Sequence, residues 1–165
     1  MTNKKQGILY ISCGVPGSGK STFLNKTKGE EEVVVSRDEI RFSLLKEGES
    51  YFAHEEEVFR IFCNTIAENI NKGINTYADA THLTKASRQK LLTSVLRRCK
   101  PSKICVLYFK IPLKVCLERN ELRNGLKTYV PPDDLCKMYT KFNIDYTGFD
   151  ACFTIDENGT ITRVV

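Results

Sequence analysis

The chain has 165 residues, 41% of them hydrophobic and 27% charged, with a formal net charge of +5. That size and balance predict one soluble domain, read here as 1–165, and exclude fibrous, low-complexity and membrane-spanning classes. The positive charge leans towards an acidic partner, and seven cysteines without a C-x-x-C pair read as small buried hydrophobes of a reducing cytoplasm.

The first predicted element is the strand "GILYISC", followed directly by "GVPGSGKST". Gly14, Gly19, Lys20 and Ser21 complete the pattern G-x-x-x-x-G-K-[ST]. Such a loop converges backbone N–H groups on phosphate oxygens, and its glycines keep Cβ atoms out of the way. Gly17 adds a third glycine and Pro16 stiffens the entry. Gly14, Pro16, Gly17, Ser18, Gly19, Lys20, Ser21 and Thr22 are therefore the candidate triphosphate cradle. Lys20 supplies positive charge at the β- and γ-phosphates, and Ser21 is the candidate Mg²⁺ ligand. A helix predicted from about Lys20 turns its positive dipole end towards the same place.

A second strand, "EVVVS", leads into a helical "RDEIRFSLLKEG". Asp38 stands just past the strand, where a short carboxylate can take a proton from an acceptor hydroxyl. Arg41 lies three residues on, where it can hold an acceptor phosphate beside it. The competing reading makes Asp38 a helix N-cap and Arg41 a surface charge. In "HEEEVFRIFCNTIAENINKG", Val58, Phe62 and Ile66 recur at four-residue spacing, which predicts an amphipathic helix packed on a sheet. Its glutamates at 55–57 read as a solvated first turn.

The third strand is "INTYADA", and "DATHL" forms its exit loop. The basic helix "KASRQKLLTSVLRRCK" follows. Lys85 and Arg88 sit nearest the cleft and are candidates to extend an acceptor groove, whereas Arg97, Arg98 and Lys100 complement the dipole at the far end. After the fourth strand, "SKICVLYFKI", the helix "PLKVCLERNEL" begins at proline and ends with Arg119 and Arg123 beside a flexible loop. Arginines placed there can close over a triphosphate and neutralise charge on a transferring phosphoryl group. A helix from "PPDDLCKMYTKF" and two strand-like runs around the Asn158-Gly159 turn complete the chain. The expected fold is α/β: a parallel sheet of about four to five strands with helices on both faces, and a C-terminal β-hairpin. Ligands then bind where the loops after strands one to three converge.

The segments "GVPGSGKST", "SRDEIR" and "RNELRNGLKTYVP" together resemble the kinase domain of the 5′-hydroxyl polynucleotide kinases of bacteriophages and RNA-repair enzymes. The resemblance spans about residues 8–142. It implies a P-loop kinase fold that phosphorylates a nucleic acid 5′-OH end, with ATP or GTP as donor and Mg²⁺ as cofactor. It makes Asp38 the general base, Arg41 the ligand of the acceptor's 3′-phosphate, and Arg123 the lid arginine that stabilises the transition state, assisted by Arg119. Asp79 and Thr81 would touch the acceptor nucleotide or a metal-bound water, and His82 stands where the family often has another polar residue. As a lone histidine, His82 reads as a loop hydrogen-bonder.

Relatives fuse this kinase to a 3′-phosphatase or ligase domain, and none is read here. "IDENGT" resembles the D-x-D-G-T motif of such phosphatases, but Asn158 replaces the second aspartate, so it reads as a turn. No obligate protein partner is evident. Two alternatives stand beside the polynucleotide reading: a P-loop kinase of nucleosides, sugars or other small molecules, and an NTP-driven switch that is no kinase.

Overall fold

The computed structural model describes residues 4–165. Strands β1 (Leu9–Cys13), β2 (Val33–Ser36), β3 (Thr76–Asp79), β4 (Ile104–Phe109), β5 (Ala151–Ile155) and β6 (Ile161–Arg163) form one sheet. Their order is β2-β3-β1-β4-β5-β6; the first five run parallel, and β6 is antiparallel to β5. The helices are α1 (Lys20–Thr27), α2 (Arg37–Leu44), α3 (Glu55–Asn71), α4 (Lys85–Leu96), α5 (Leu113–Glu121) and α6 (Pro132–Lys141).

The sheet has a hydrophobic core on each face. On one side Phe62, Ile66 and Ile70 of α3 and Leu91 and Val95 of α4 pack with Leu9, Ile11, Val106 and Tyr108 of the strands. On the other, Leu24 of α1, Cys116 of α5 and Leu135 of α6 pack with Leu107, Phe109 and Ile155. Helices therefore cover both faces, as a parallel sheet demands. The predicted stripe of α3 is buried as its spacing requires, with Val58, Phe62, Ile66 and Ile70 fully enclosed. Each such side chain contributes about 2 kcal/mol of apolar burial.

Local chemistry sets the ends of the elements. Ser36 caps α2, its Oγ accepting from the Glu39 N–H at 3.2 Å, so the cap is Ser36 and Asp38 keeps its carboxylate for other partners. The helix stops at Leu44, short of the predicted Gly48, because Leu45 turns extended. Thr84 and Ser87 form a capping box at the start of α4. Pro112 and Pro131 precede α5 and α6. At the β5–β6 turn, Asp156 Oδ1 accepts from the N–H groups of Asn158 and Thr160, both at 2.9 Å, which makes "DENGT" the hairpin expected.

All seven cysteines are free thiols, six of them buried. Burial pushes the Cys13 thiol up to about 12, the behaviour of a core hydrophobe. Among the described residues no helix is long and apolar enough to cross a membrane.

Register fixes the working edge. Ser12 pairs with Asp79, and Asp79 with Ser36, so the C-terminal ends of β1, β3 and β2 lie side by side. At the spacing of about 4.8 Å between strands, the P-loop and the start of α2 are only two strands apart.

Candidate active site

The loop between β1 and α1 curls back on itself. The Ser18 N–H donates to the Val15 carbonyl at 3.1 Å, and the Gly14 N–H donates to the Thr81 carbonyl at 2.9 Å. Gly17 and Gly19 have φ of 82° and 81°, where a side chain is strained. A Cβ on Gly17 would also lie 2.4 Å from the Cys116 carbonyl of α5, so this glycine lets loop and helix touch. Gly19 caps α1 without a side-chain hydrogen bond, which leaves the first N–H groups of the helix facing outward. Lys20 is half-buried at that end. Together they form an anion cradle.

Beside the cradle, the Ser21 hydroxyl donates to Asp79 Oδ2 at 2.6 Å. The Ser12 hydroxyl lies 3.3 Å from Asp79 Oδ1 and 3.1 Å from the Ala78 carbonyl. Asp79 is only 3% exposed. The sequence reading sent it to the acceptor or a metal-bound water; the structure places it against the P-loop serine, on the donor side. Ser21 and Asp79 are hard oxygen donors of the kind Mg²⁺ takes. A hydroxyl and a carboxylate fit Mg²⁺, which takes few protein ligands where phosphates are bound. Thr81 contributes its carbonyl to Gly14 and is half-buried.

The second corner, where the sequence reading expects an acceptor, lies at α2. Arg41 bonds Asp38 directly; its Nε donates to Glu55 Oε1 at 2.7 Å and its Nη1 to the Tyr51 hydroxyl at 2.6 Å. The Tyr51 hydroxyl in turn donates to Asp38 Oδ1 at 2.8 Å, and its ring lies 4.3 Å from the Arg41 guanidinium carbon. Arg37 joins through Nη2, 3.0 Å from Glu55 Oε2. Arg41 is 5% exposed. Burial opposes its charge, but the bonds and charges of Glu55, Tyr51 and Asp38 outweigh burial and hold its pKa above the usual value. Burial likewise disfavours the Glu55 carboxylate, and the two arginines overcome it to lower that pKa.

Asp38 and Arg41 thus do stand together, but as an ion pair inside a network that includes Glu55 and Tyr51, neither of which the sequence reading singled out. Glu55 was expected in a solvated turn; it is the hub of two arginine bonds instead, because the 45–54 loop folds α3 back against α2. Its only signal in the sequence was a run of glutamates near two arginines.

Over the P-loop, Arg119 Nη1 donates to the Ser18 carbonyl at 3.0 Å and Nη2 to the Glu157 carbonyl at 3.3 Å. Arg123 begins a run of turns through Tyr129; its guanidinium makes no hydrogen bond or ion pair among the described residues. Buried Asn120 ties the two ends of this segment together. Its Nδ2 donates to the Val130 carbonyl at 2.6 Å and its Oδ1 accepts from the Val130 N–H at 3.1 Å.

One expectation needs correction. Arg88 does not line a groove: it is 2% exposed, donates to the His82 carbonyl and Asn143 Oδ1, both at 2.8 Å, and stacks on Tyr108. It shares the inward face of α4 with Leu91 and Val95. Lys85, by contrast, is exposed and pairs with Asp145 at 3.0 Å. His82, in the loop after β3, is a hydrogen-bonder there, as its reading as a lone histidine expects. It is buried against Phe62, with a φ of 42°, and its Nδ1 donates to the Ser12 carbonyl at 2.8 Å. Burial pulls its pKa down to about 4, so the ring is neutral and its Nε2 has no partner among the described residues.

Comparison with known proteins agrees with this architecture. A family model described as AAA domain matches residues 9–142. Among solved structures, the Pnkp1/Rnl/Hen1 RNA repair complex contains a chain 22% identical, with a TM-score of 0.70 over 85% of this chain and 45% of that one. This chain therefore spans less than half of the matched repair protein. A fungal RNA kinase matches at 11% identity and a TM-score of 0.64, covering 93% of this chain and 74% of its own. A gluconokinase from Sinorhizobium meliloti 1021 matches at 16% identity and a TM-score of 0.55, covering 92% and 83%. No curated protein matches significantly in sequence.

Proposed function

The chain belongs to the AAA domain family, matched over residues 9–142, and on that premise we propose that it is a kinase of polynucleotide 5′-hydroxyl ends. The observation that carries the reading is the joined pair of Asp38 and Arg41, two strands from the P-loop at the same edge of the sheet. It offers a base for a hydroxyl and a cation for a phosphate within one turn of helix. The fold likeness to a chain of an RNA repair complex and to a fungal RNA kinase supports it.

In this reading the triphosphate lies on the loop 14–22, with Lys20 at its terminal phosphates. Mg²⁺, when bound by Ser21 and Asp79, supplies neutralisation of the phosphate oxygens. Asp38 accepts the proton of the acceptor's 5′-hydroxyl as that oxygen bonds the γ-phosphorus, and the bond from phosphorus to the bridging oxygen breaks to release the nucleoside diphosphate. Arg123, from the lid, neutralises charge on the transferring group, while Arg119 steadies the loop beneath. Arg41 grips the 3′-phosphate of the terminal nucleotide, exchanging a bond to its neighbours for one to substrate.

A small-molecule acceptor is the second reading. It is supported by the gluconokinase likeness, which spans most of both chains.

The test compares kcat/KM for a nucleoside 3′-monophosphate, a plain nucleoside and gluconate. An arginine–phosphate contact gives the 3′-phosphorylated acceptor about a tenfold to hundredfold advantage. Arg41→Ala erases most of that advantage and Arg41→Lys restores only part, lacking the planar fork. Preference for gluconate or for the plain nucleoside favours the second reading.

A further inference from the structure

The loop at 45–54 sets aromatic rings beside the acceptor corner. Tyr51 meets Phe42 edge to face at 6.1 Å and Phe52 edge to face at 4.8 Å. Its hydroxyl bonds both Asp38 and Arg41, so this ring is fixed to the reacting pair. Phe52 is one ring further out and 68% exposed, with Tyr51 40% exposed. Every other large apolar side chain exposed among the described residues is aliphatic. An exposed aromatic ring braced by an aromatic neighbour offers a surface on which a planar heterocycle can stack.

We propose that Phe52, backed by Tyr51, is the stacking face for the heterocyclic base of the acceptor's 5′-terminal nucleotide. The inference rests on the polynucleotide reading and deepens it. A nucleotide acceptor presents a 5′-hydroxyl, a 3′-phosphate and a planar base; this corner presents a carboxylate, a cation and a ring in one connected cluster. Phe52 offers no hydrogen bond, so it gives no grip on the polar groups of a sugar acid. It stacks on any base with little sequence preference, which suits an enzyme that acts on ends of varied sequence. Tyr51 is a positioning residue here: its edge holds the Phe52 ring while its hydroxyl aligns Asp38.

The test uses the whole chain, with a nucleoside 3′-monophosphate and the matching abasic ribose 3-phosphate as acceptors. Wild type prefers the base-bearing acceptor. Phe52→Ala narrows that preference by about 5- to 100-fold, through KM more than kcat. Phe52→Trp keeps the preference and Phe52→Leu, of similar bulk but without a π-face, does not. An unchanged ratio in Phe52→Ala, with both acceptors still phosphorylated, overturns the stacking face and leaves the polynucleotide reading intact. If wild type phosphorylates neither acceptor, the reading beneath it falls, and the stacking face with it. Phe52 lies outside the core, so these variants fold; circular dichroism and nucleotide binding confirm it.

Discussion

Around the P-loop, the first N–H groups of α1 have no side-chain cap and Lys20 makes no ion pair among the described residues, whereas around Asp38 the charged side chains are already paired with one another. The first corner is built from main chain, within a few residues of sequence. The second is built from side chains of α2, the 45–54 loop and α3, with partners 10 to 18 positions apart. A triphosphate can settle into the first by replacing water. An acceptor entering the second must trade protein–protein bonds for bonds to itself, and a ligand lacking the right charges leaves buried groups unpaired. In the proposed reading, discrimination among substrates therefore belongs to the corner around Asp38 and Arg41.

The largest expected effects separate the two corners directly. Asp38→Asn lowers turnover by about 10²–10⁴ while nucleotide affinity stays near wild type. Lys20→Ala also abolishes most turnover, by about 10²–10³, but weakens nucleotide binding and does so for every acceptor. Steady-state rates together with nucleotide titration check both, and loss of nucleotide affinity in Asp38→Asn would merge the corners into one.

Next comes stability. Glu55→Ala leaves the buried Arg41 and its neighbour Arg37 short of a carboxylate, and is expected to cost about 3 kcal/mol, the low end for a broken buried pair because Glu55 is partly exposed. Chemical denaturation measures it. A loss under about 0.5 kcal/mol would show that the network is a surface arrangement after all.

Between the corners, His82 is expected to make stability depend on pH. The unfolded imidazole takes a proton below its ordinary value of 6.5, and the folded one resists until about 4. The folded pKa is depressed, so the stabilisation is present above 6.5 and is lost as pH falls. Between pH 7 and pH 5 the loss through this group is about 2 kcal/mol. His82→Gln flattens that part of the profile; an unchanged slope would put the titration elsewhere.

The smallest effect is expected at Lys85. Lys85→Glu raises KM for an oligonucleotide about two- to fivefold, and less for a mononucleotide, since the group is solvated and already shared with Asp145. Equal changes on both acceptors would place no groove on this side.

The same contrast explains what could be read without coordinates. The P-loop and the hairpin at Asn158-Gly159 are legible because each depends on neighbours in sequence, whereas the strand order, which seats β1 between β3 and β4, rests on pairings distant in sequence. The pairing of Asp38 with Arg41, one helical turn apart, is legible too. Glu55 and Tyr51 are not, since their roles arise only when α3 folds back on α2. Arg88 was misjudged because its charge outweighed its spacing. Arg88, Leu91 and Val95 fall three and four apart, the period of a buried stripe, and a cation stacked on Tyr108 and bonded to His82 and Asn143 is at home there. Asp79 stands at the expected edge of the sheet, and of the two roles expected for it, acceptor contact or a metal-bound water, its bond to Ser21 sits with the second.

Buried Asn120 has a consequence for how this molecule can be altered. Its two bonds to Val130 fasten together the ends of the segment from 121 to 129, so the base of that segment is held by groups outside it. Lengthening such a closed loop costs only about 0.6 kcal/mol per doubling. The segment, which the proposed reading makes a lid, is thus a closed loop on a fixed base. A longer or differently charged lid can be spliced between these anchors with the sheet, the P-loop and the α2–α3 network left as they are.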